Sequence, residues 1–165
     1  MPNHCHNRVT FYPQYEEDKG RDQIAKIKQI FEDENCFGQI IPEPDWLNTP
    51  LMSSDMPKYD WDKAKGKVGE LPIMQTDRYG EFRRFQSTGL SDDRWYDWRL
   101  QNWDTKWHAY DVVVTDDDPD QLEVEFNTAW SPPEAICHAL REKYEDTVAI
   151  SWFFDEPGCE IAGYL

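Results

Sequence analysis

The sequence predicts an α+β fold in which antiparallel strands form one sheet backed by helices. Two observations carry this prediction. Residues 122–130 alternate apolar and polar side chains, which is the period of a strand with one buried and one solvated face. Helical patterns, with apolar residues three and four positions apart, occur both before and after this stretch.

The first predicted elements are a short strand and a helix. Val9–Tyr12 has strand composition and is ended by Pro13. Asp22–Glu34 is predicted to form a helix, because its apolar residues recur on one face. Those apolar residues are Ile24, Ile27, Ile30 and Phe31.

A long insertion, Gln39–Lys106, follows this helix. Its first half is rich in proline and is predicted to consist of loops and short turns. A further helix is predicted over Arg94–Gln101. Four tryptophans lie at and directly after the end of the insertion, and we expect them to build a small second core, because so large an exposed aromatic cluster would promote aggregation. They are Trp95, Trp98, Trp103 and Trp107.

The strand over Leu122–Trp130 has a predicted partner in Asp111–Thr115, which is rich in β-branched residues. Between them lies Asp116–Asp120, where a proline and several aspartates favour a turn. The sequence therefore predicts an antiparallel hairpin in the centre of the sheet. Trp130, at its end, is expected to be a core residue between sheet and helix.

A second helix is predicted to start directly after the hairpin. In Ser131-Pro-Pro-Glu134 the serine is the expected N-cap, a proline occupies the first helical position, and the glutamate completes a capping box. Strands are predicted over Thr147–Phe154 and Glu160–Leu165.

The order of these elements is β-α-(insertion)-β-β-α-β-β. Without the insertion, it is the βαββαβ order of a ferredoxin-like sandwich, followed by one extra C-terminal strand. We therefore predict a single ferredoxin-like domain over residues 1–165, with a large Pro/Trp-rich insertion over 39–106 after the first helix.

Several motifs in this chain resemble the YubB-like ferredoxin-like domain proteins. They are MPNHCHNRVTF, IIPEP, WYDWRLQNWDTKW, FNTAWSPP and DEPGCEIAGYL. The resemblance implies a ferredoxin-like fold and an origin in bacteriophages, plasmids and related mobile elements (Api-type phage proteins), but no known reaction. The family pattern has glycine at the position of Asp104 and tryptophan at the position of His4, so the sequence departs from it there.

Composition narrows the classes of function. The formal net charge is −16, and residues 107–165 contribute −12 of it, from fourteen acidic and two basic side chains. Such a field repels phosphate backbones, so direct nucleic-acid binding through this half is disfavoured. We expect a cytoplasmic protein with free cysteines, because no C-x-x-C pair, signal peptide or membrane-length apolar run occurs.

The sequence offers few residues for catalysis or metal binding. His4-Cys5-His6 is the one cluster of metal-capable side chains, and on a strand only the two histidines would share a side. We expect no metal and no cofactor, and we assign no catalytic residue, because no nucleophile, phosphate-binding or dinucleotide motif occurs.

The leading functional hypothesis is a mobile-element accessory protein that binds a host protein with a basic surface. Such binding could inhibit a host nucleic-acid-handling or defence system, as DNA mimics and anti-CRISPR proteins do. The expected contact residues are Asp116, Asp117, Asp118, Asp120, Glu123 and Glu125.

Two alternatives from other classes stay open. One is a nucleic-acid-binding module that uses the arginines and aromatic residues of the insertion. Those arginines are Arg78, Arg83, Arg84, Arg94 and Arg99. The other is an enzyme with an unrecognised site between insertion and body. The oligomeric state is left open.

Overall fold

A computed structural model of the chain describes residues 3–15, 17–45, 73–76, 82–85 and 94–165. The chain divides into two compact units, one formed by Met1–Glu43 with Arg99–Leu165 and the other by Pro44–Trp98. The elements in chain order are β1 His4–Pro13, α1 Glu17–Phe31, α2 Cys36–Ile40, β2 Ile73–Thr76, β3 Phe82–Phe85, α3 Arg94–Asn102, β4 Tyr110–Asp118, β5 Gln121–Ala129, α4 Glu134–Tyr144, β6 Val148–Glu156 and β7 Ile161–Tyr164.

The first unit contains a five-stranded antiparallel sheet with the order β4-β5-β1-β6-β7. The order β4-β5-β1-β6, with α1 and α4 as connections, is that of a ferredoxin-like sandwich, and β7 adds the extra strand. The predicted fold class is therefore confirmed. In the second unit, β2 and β3 pair as an antiparallel ribbon. The predicted boundaries of a single domain with an insertion over 39–106 stay a prediction.

The predicted hairpin exists, but its predicted place in the centre of the sheet is wrong. β4 is an edge strand, and β1 is the central strand, paired with β5 on one side and β6 on the other. The turn is also shorter than predicted, because Asp116–Asp118 belong to β4 and only Pro119 and Asp120 form the turn. The pairing of β4 with β5 is interrupted by two register shifts, which suits an edge strand.

The core of the first unit lies between one face of the sheet and the helices. The alternation in β5 buries Val124 and Phe126, and the Phe126 ring meets those of Phe31 in α1 and Trp152 in β6 at centroid distances of 5.3 and 5.7 Å. Helix α4 contributes Ile136, which is fully buried. The core therefore takes apolar side chains from the sheet and from both long helices.

Trp103 and Trp107, two of the four clustered tryptophans, have different environments. Trp103 is fully buried, donates from its indole nitrogen to the carbonyl of Ile41 at 3.0 Å, and packs edge-on against Phe37. Trp107, in contrast, is 39% exposed. The expected second core is therefore wrong for both residues: Trp103 joins the core of the first unit through Phe37, which also meets Phe126, and Trp107 lies at the surface where the chain begins β4.

The prediction that Trp130 is a core residue is wrong. Its side chain is 52% exposed, and its backbone lies in the left-handed region with a φ of 76°. The Trp130 amide donates to the carbonyl of Asn3 at 3.0 Å, which holds this turn against the start of β1. The strand has already ended at Ala129, and the left-handed turn carries the indole away from the core.

The predicted capping box is also wrong, because α4 begins at Glu134 with Pro133 as its N-cap and no side-chain cap from that residue. The cap comes from a distant segment: an oxygen of Asp104 accepts a hydrogen bond from the amide of Ala135 at 2.8 Å. The Ser131 hydroxyl instead bonds to the backbone carbonyl of Asp104. Two consecutive prolines in front of the helix displace its start beyond the reach of Ser131.

Asp104 itself has a φ of 62°, a conformation that glycine adopts freely and that aspartate tolerates better than alanine does. We expect Asp104→Ala to lower the free energy of unfolding by about 1–2 kcal/mol, because it removes the cap and leaves a less tolerant residue in that backbone. Asp104→Gly should lower the free energy of unfolding less than Asp104→Ala does. Both variants lose the cap, but glycine adopts a φ of 62° without strain. A urea titration that ranks glycine below alanine would contradict this assignment.

Candidate functional site

The face of the sheet opposite α1 and α4 carries four of the six acidic residues predicted to bind a partner. We call it the outer face. The side chains on it follow from the strand register, because alternate residues point to the same side of a sheet. β5 contributes Glu123 and Glu125 to the outer face, and β1 contributes Arg8 and Thr10, which the register places opposite them. The face combines an acidic side, a polar central strand and an aromatic side.

Four of the six predicted contact residues lie on the acidic side. Asp116 and Asp118 of β4 are paired in register with Glu123 and Gln121 of β5, and Glu125 follows two positions later on the same face. Asp116 faces Glu123 directly, and like charges at directly opposite positions destabilise a sheet. The arrangement therefore concentrates negative charge at a cost to the fold.

Polar contacts hold the two glutamates of β5 in place. Glu123 accepts hydrogen bonds from the hydroxyls of Thr115 at 2.9 Å and Thr10 at 3.3 Å. Glu125 lies 3.8 Å from Nε2 of His6 on β1. Their carboxylates are thus oriented by Thr10, Thr115 and His6, and Arg8 is the cation that the register places opposite Glu125.

The other two predicted residues, Asp117 and Asp120, do not join this group. Asp117 accepts a hydrogen bond from the Lys28 ammonium at 2.6 Å, and this bond raises the pKa of Lys28. Asp120 is paired with Arg21 at 2.7 Å. Because both cations belong to α1, these two aspartates attach the hairpin to the helix instead of facing a partner.

Phe153 of β6 and Tyr164 of β7 form the aromatic side of the outer face. Their rings are paired across the strands at a centroid distance of 5.3 Å in a T-shaped arrangement, and Tyr164 is 70% exposed. The guanidinium of Arg8 lies over Phe153, 5.4 Å from the ring centroid. Asp155 stands two positions further along β6 on this face, opposite His6.

A second aromatic group lies where β4 begins. The hydroxyl of Tyr110 is 2.6 Å from Nδ1 of His4, and burial raises the pKa of this tyrosine. The Trp107 ring packs edge-on against Tyr110, and the Lys106 ammonium lies 4.2 Å from its centroid. Extending the predicted first strand back to His4 would have placed His4 on the same face as His6 and Arg8.

Among the five arginines proposed for nucleic-acid binding, the structure describes the contacts of the Arg99 side chain. Arg99 forms a bidentate ion pair with Glu43 at distances down to 2.7 Å, and the two side chains are only 19% and 15% exposed. Its guanidinium also stacks on Trp103 at 4.8 Å. Arg99 is therefore a structural residue. Arg78 lies outside the described residues, while β3 contains Arg83 and Arg84, and α3 begins at Arg94.

Three of the four free cysteines belong to the core. Burial raises the pKa of the Cys5, Cys36 and Cys137 thiols to about 11, so they stay protonated at neutral pH. Cys159 is exposed in the turn before β7, and its thiol shares a hydrogen bond with Glu156 that raises its pKa.

As predicted, Cys5 points away from His4 and His6, into the core. The part of the chain that the structure describes contains no group of three His, Cys, Asp or Glu side chains able to hold a metal ion. Of the helices in that part, none is long and apolar enough to cross a membrane.

Comparison with known proteins agrees with the fold. Residues 102–165 match a family model described as the ferredoxin-like domain in Api92-like protein. The matched segment begins at the end of α3 and contains β4, β5, α4, β6 and β7. It thus includes both the acidic and the aromatic sides of the outer face, whereas β1 lies outside it.

Among solved structures, the crystal structure of a protein api92 from Yersinia pseudotuberculosis is similar to this chain. It is 12% identical, with a TM-score of 0.46, and the alignment covers 99% of this chain and 93% of that one. No curated protein matches the sequence significantly.

Proposed function

We propose that this protein binds a partner protein that has a basic surface, and that the outer face of the sheet is its binding surface. One observation carries the proposal: the strand register groups Asp116, Asp118, Glu123 and Glu125 on one face, although two of them repel each other directly across the strands. Because these four carboxylates lie together in spite of the repulsion, the electrostatic potential at the outer face is strongly negative. Such a field accelerates the encounter with a basic protein and selects against acidic ones.

The resemblance to phage and plasmid proteins supports a host protein as the partner. Host proteins that handle nucleic acid carry basic surfaces, since they must neutralise phosphates. Occupation of such a surface would inhibit the host protein, which fits an anti-defence or regulatory role in the bacterial cytoplasm. The second hypothesis, direct binding of nucleic acid, has less support, because Arg99 is already held by Glu43.

The test replaces the four outer-face carboxylates with their amides, as Asp116→Asn, Asp118→Asn, Glu123→Gln and Glu125→Gln. The chain offers a matched control on the helix side, where Glu134, Glu142, Glu145 and Asp146 are all exposed. Changing these four to amides alters the net charge by the same amount. Both variants and the wild type are compared by capture of host proteins and by the affinity for each protein captured.

The outer-face variant is expected to bind the basic partner about tenfold more weakly or worse, since each surface ion pair contributes about 0.2–1 kcal/mol. The helix-side variant should bind almost as the wild type does. The wild-type affinity should also fall as salt is added. Equal losses in both variants would mean that the negative charge acts only as a general field, and the proposed surface would be wrong.

A further inference from the structure

The aromatic side of the outer face has the chemistry to bind one kind of partner side chain. We infer that Tyr164 and Asp155 form a binding site for an arginine side chain of the partner. This inference rests on the proposed function, because it names the chemistry that the same face recognises. The site lies at the edge of the sheet formed by β6 and β7, outside the residues predicted from the sequence to bind a partner.

The strand register places a ring and a carboxylate side by side. Asp155 is paired with Ala162, and Tyr164 is two residues beyond Ala162 on the same face of β7. Asp155 and Tyr164 are therefore diagonal neighbours, a relation in which Cα atoms on adjacent strands are about 7–8 Å apart. A planar guanidinium is wide enough to stack on the ring and still donate hydrogen bonds to the carboxylate.

The Tyr164 side chain is exposed, and the Asp155 side chain is partly exposed. The Tyr164 ring touches Phe153 edge-on, and the side chain is 70% exposed. No hydrogen bond or ion pair within the described residues involves the Asp155 carboxylate. The charged groups that face it on β1 are His6, opposite in the register, and Arg8, which lies over Phe153.

The contact of Arg8 with Phe153 is an example, within the chain, of the contact that we propose between a partner arginine and Tyr164. The Arg8 guanidinium already lies 5.4 Å from the centroid of Phe153, on a strand adjacent to that ring. Tyr164 continues the same row by one strand and has no cation over its ring among the described residues. An arginine from the partner would add a second guanidinium to this row and would be compensated by Asp155.

Selectivity for arginine over lysine follows from solvation and shape. An ammonium is compact and strongly hydrated, so it gives up more solvation when it contacts a ring. A guanidinium is weakly hydrated, planar and able to donate two parallel hydrogen bonds to one carboxylate. Both cations can lie over the ring, so the preference comes from the weaker hydration of the guanidinium and its two hydrogen bonds to Asp155, and we expect it to be about fivefold.

The experiment compares two synthetic peptides of equal length and charge, one alternating arginine with glycine and the other lysine with glycine. Fluorescence anisotropy gives the affinity of the full-length protein for each. The wild type is expected to bind the arginine peptide about fivefold more tightly. Tyr164→Leu should weaken the arginine peptide more than the lysine peptide and bring the ratio close to one. Tyr164→Phe should keep the ratio, because it keeps the ring.

A matched control is Tyr15→Leu, since Tyr15 is 82% exposed but lies in the connection between β1 and α1. It should leave the ratio unchanged. Equal affinities of the wild type for the two peptides, or a ratio that survives Tyr164→Leu, would overturn the arginine site while leaving the acidic surface intact. If neither peptide binds the wild type, the proposed function fails together with the inference.

Discussion

Replacing Phe126 with alanine is expected to lower the free energy of unfolding by about 3–5 kcal/mol, the cost of truncating a fully buried aromatic side chain. Phe126 is only 1% exposed. Its ring meets those of Phe31 and Phe37 at centroid distances of 5.3 and 6.2 Å, and that of Trp152 at 5.7 Å. Because these neighbours come from α1, α2 and β6, no single element can move to fill the cavity. Urea titration of the two proteins measures the difference.

The adjacent residue supplies the control for this measurement. Glu125 points to the outer face, and its contact with His6 joins two partly exposed side chains at 3.8 Å. Glu125→Ala should therefore change the free energy of unfolding by less than about 0.5 kcal/mol. If both alanine substitutions cost the same, the assigned register of β5 is wrong.

Asn7→Leu should destabilise the fold by about 2–4 kcal/mol, although it places a more apolar residue in a fully buried position. The Asn7 side chain accepts a hydrogen bond from the indole nitrogen of Trp152 and donates to the Thr128 hydroxyl, both at 3.0 Å. It also donates to the carbonyl of Cys5. Leucine would leave the indole N–H without a partner in the core, where an unsatisfied donor is costly.

A second substitution distinguishes this reason from simple misfit of leucine. Trp152→Phe removes the indole N–H, so it should cost at least about 1 kcal/mol less in the Asn7→Leu background than in the wild type. Additive effects of the two substitutions in a double-mutant cycle would show that the hydrogen bond does not couple the residues. Equilibrium denaturation of the four proteins supplies the numbers.

Periodicity alone is enough to predict the fold class. The alternation in residues 122–130 and the helical spacing before and after it depend on local sequence. The strand and both helices exist, although the first helix spans Glu17–Phe31 instead of Asp22–Glu34. The first strand is longer than predicted. Its first half was missed because the polar residues His4, His6 and Arg8 have the composition of a solvated terminus. They are in fact the outer-face half of the alternation in a strand that begins at His4.

The errors at Trp130 and Ser131 have a different origin. Whether a tryptophan after a strand is buried depends on the backbone conformation of the turn, and the left-handed φ at Trp130 has no signal in its own residue type. The cap of α4 comes from Asp104, which is 30 residues before Glu134 in the chain. A local motif cannot reveal a cap supplied by tertiary structure.

The candidate site could be predicted only in part for the same reason. Counting charges along the hairpin identifies its acidic residues, but not that Asp117 and Asp120 point to cations on α1. Tyr164 and Asp155 become neighbours through the pairing of β6 with β7. Their relation is set by register, and register is not a property of either segment alone.

β1 is synthesised long before both of its neighbours in the sheet, which come from the last third of the chain. β5 begins at Gln121 and β6 at Val148. The central strand therefore has no strand to pair with until β5 and β6 have been synthesised and have left the ribosome. Contacts this distant in sequence slow folding, because a long loop must close before they contribute. During this time both backbone edges of β1 are open to other chains, whereas its apolar face can already be covered by α1, whose Phe31 packs against Phe11. Nascent or refolding protein should therefore be more prone to aggregation than the finished fold.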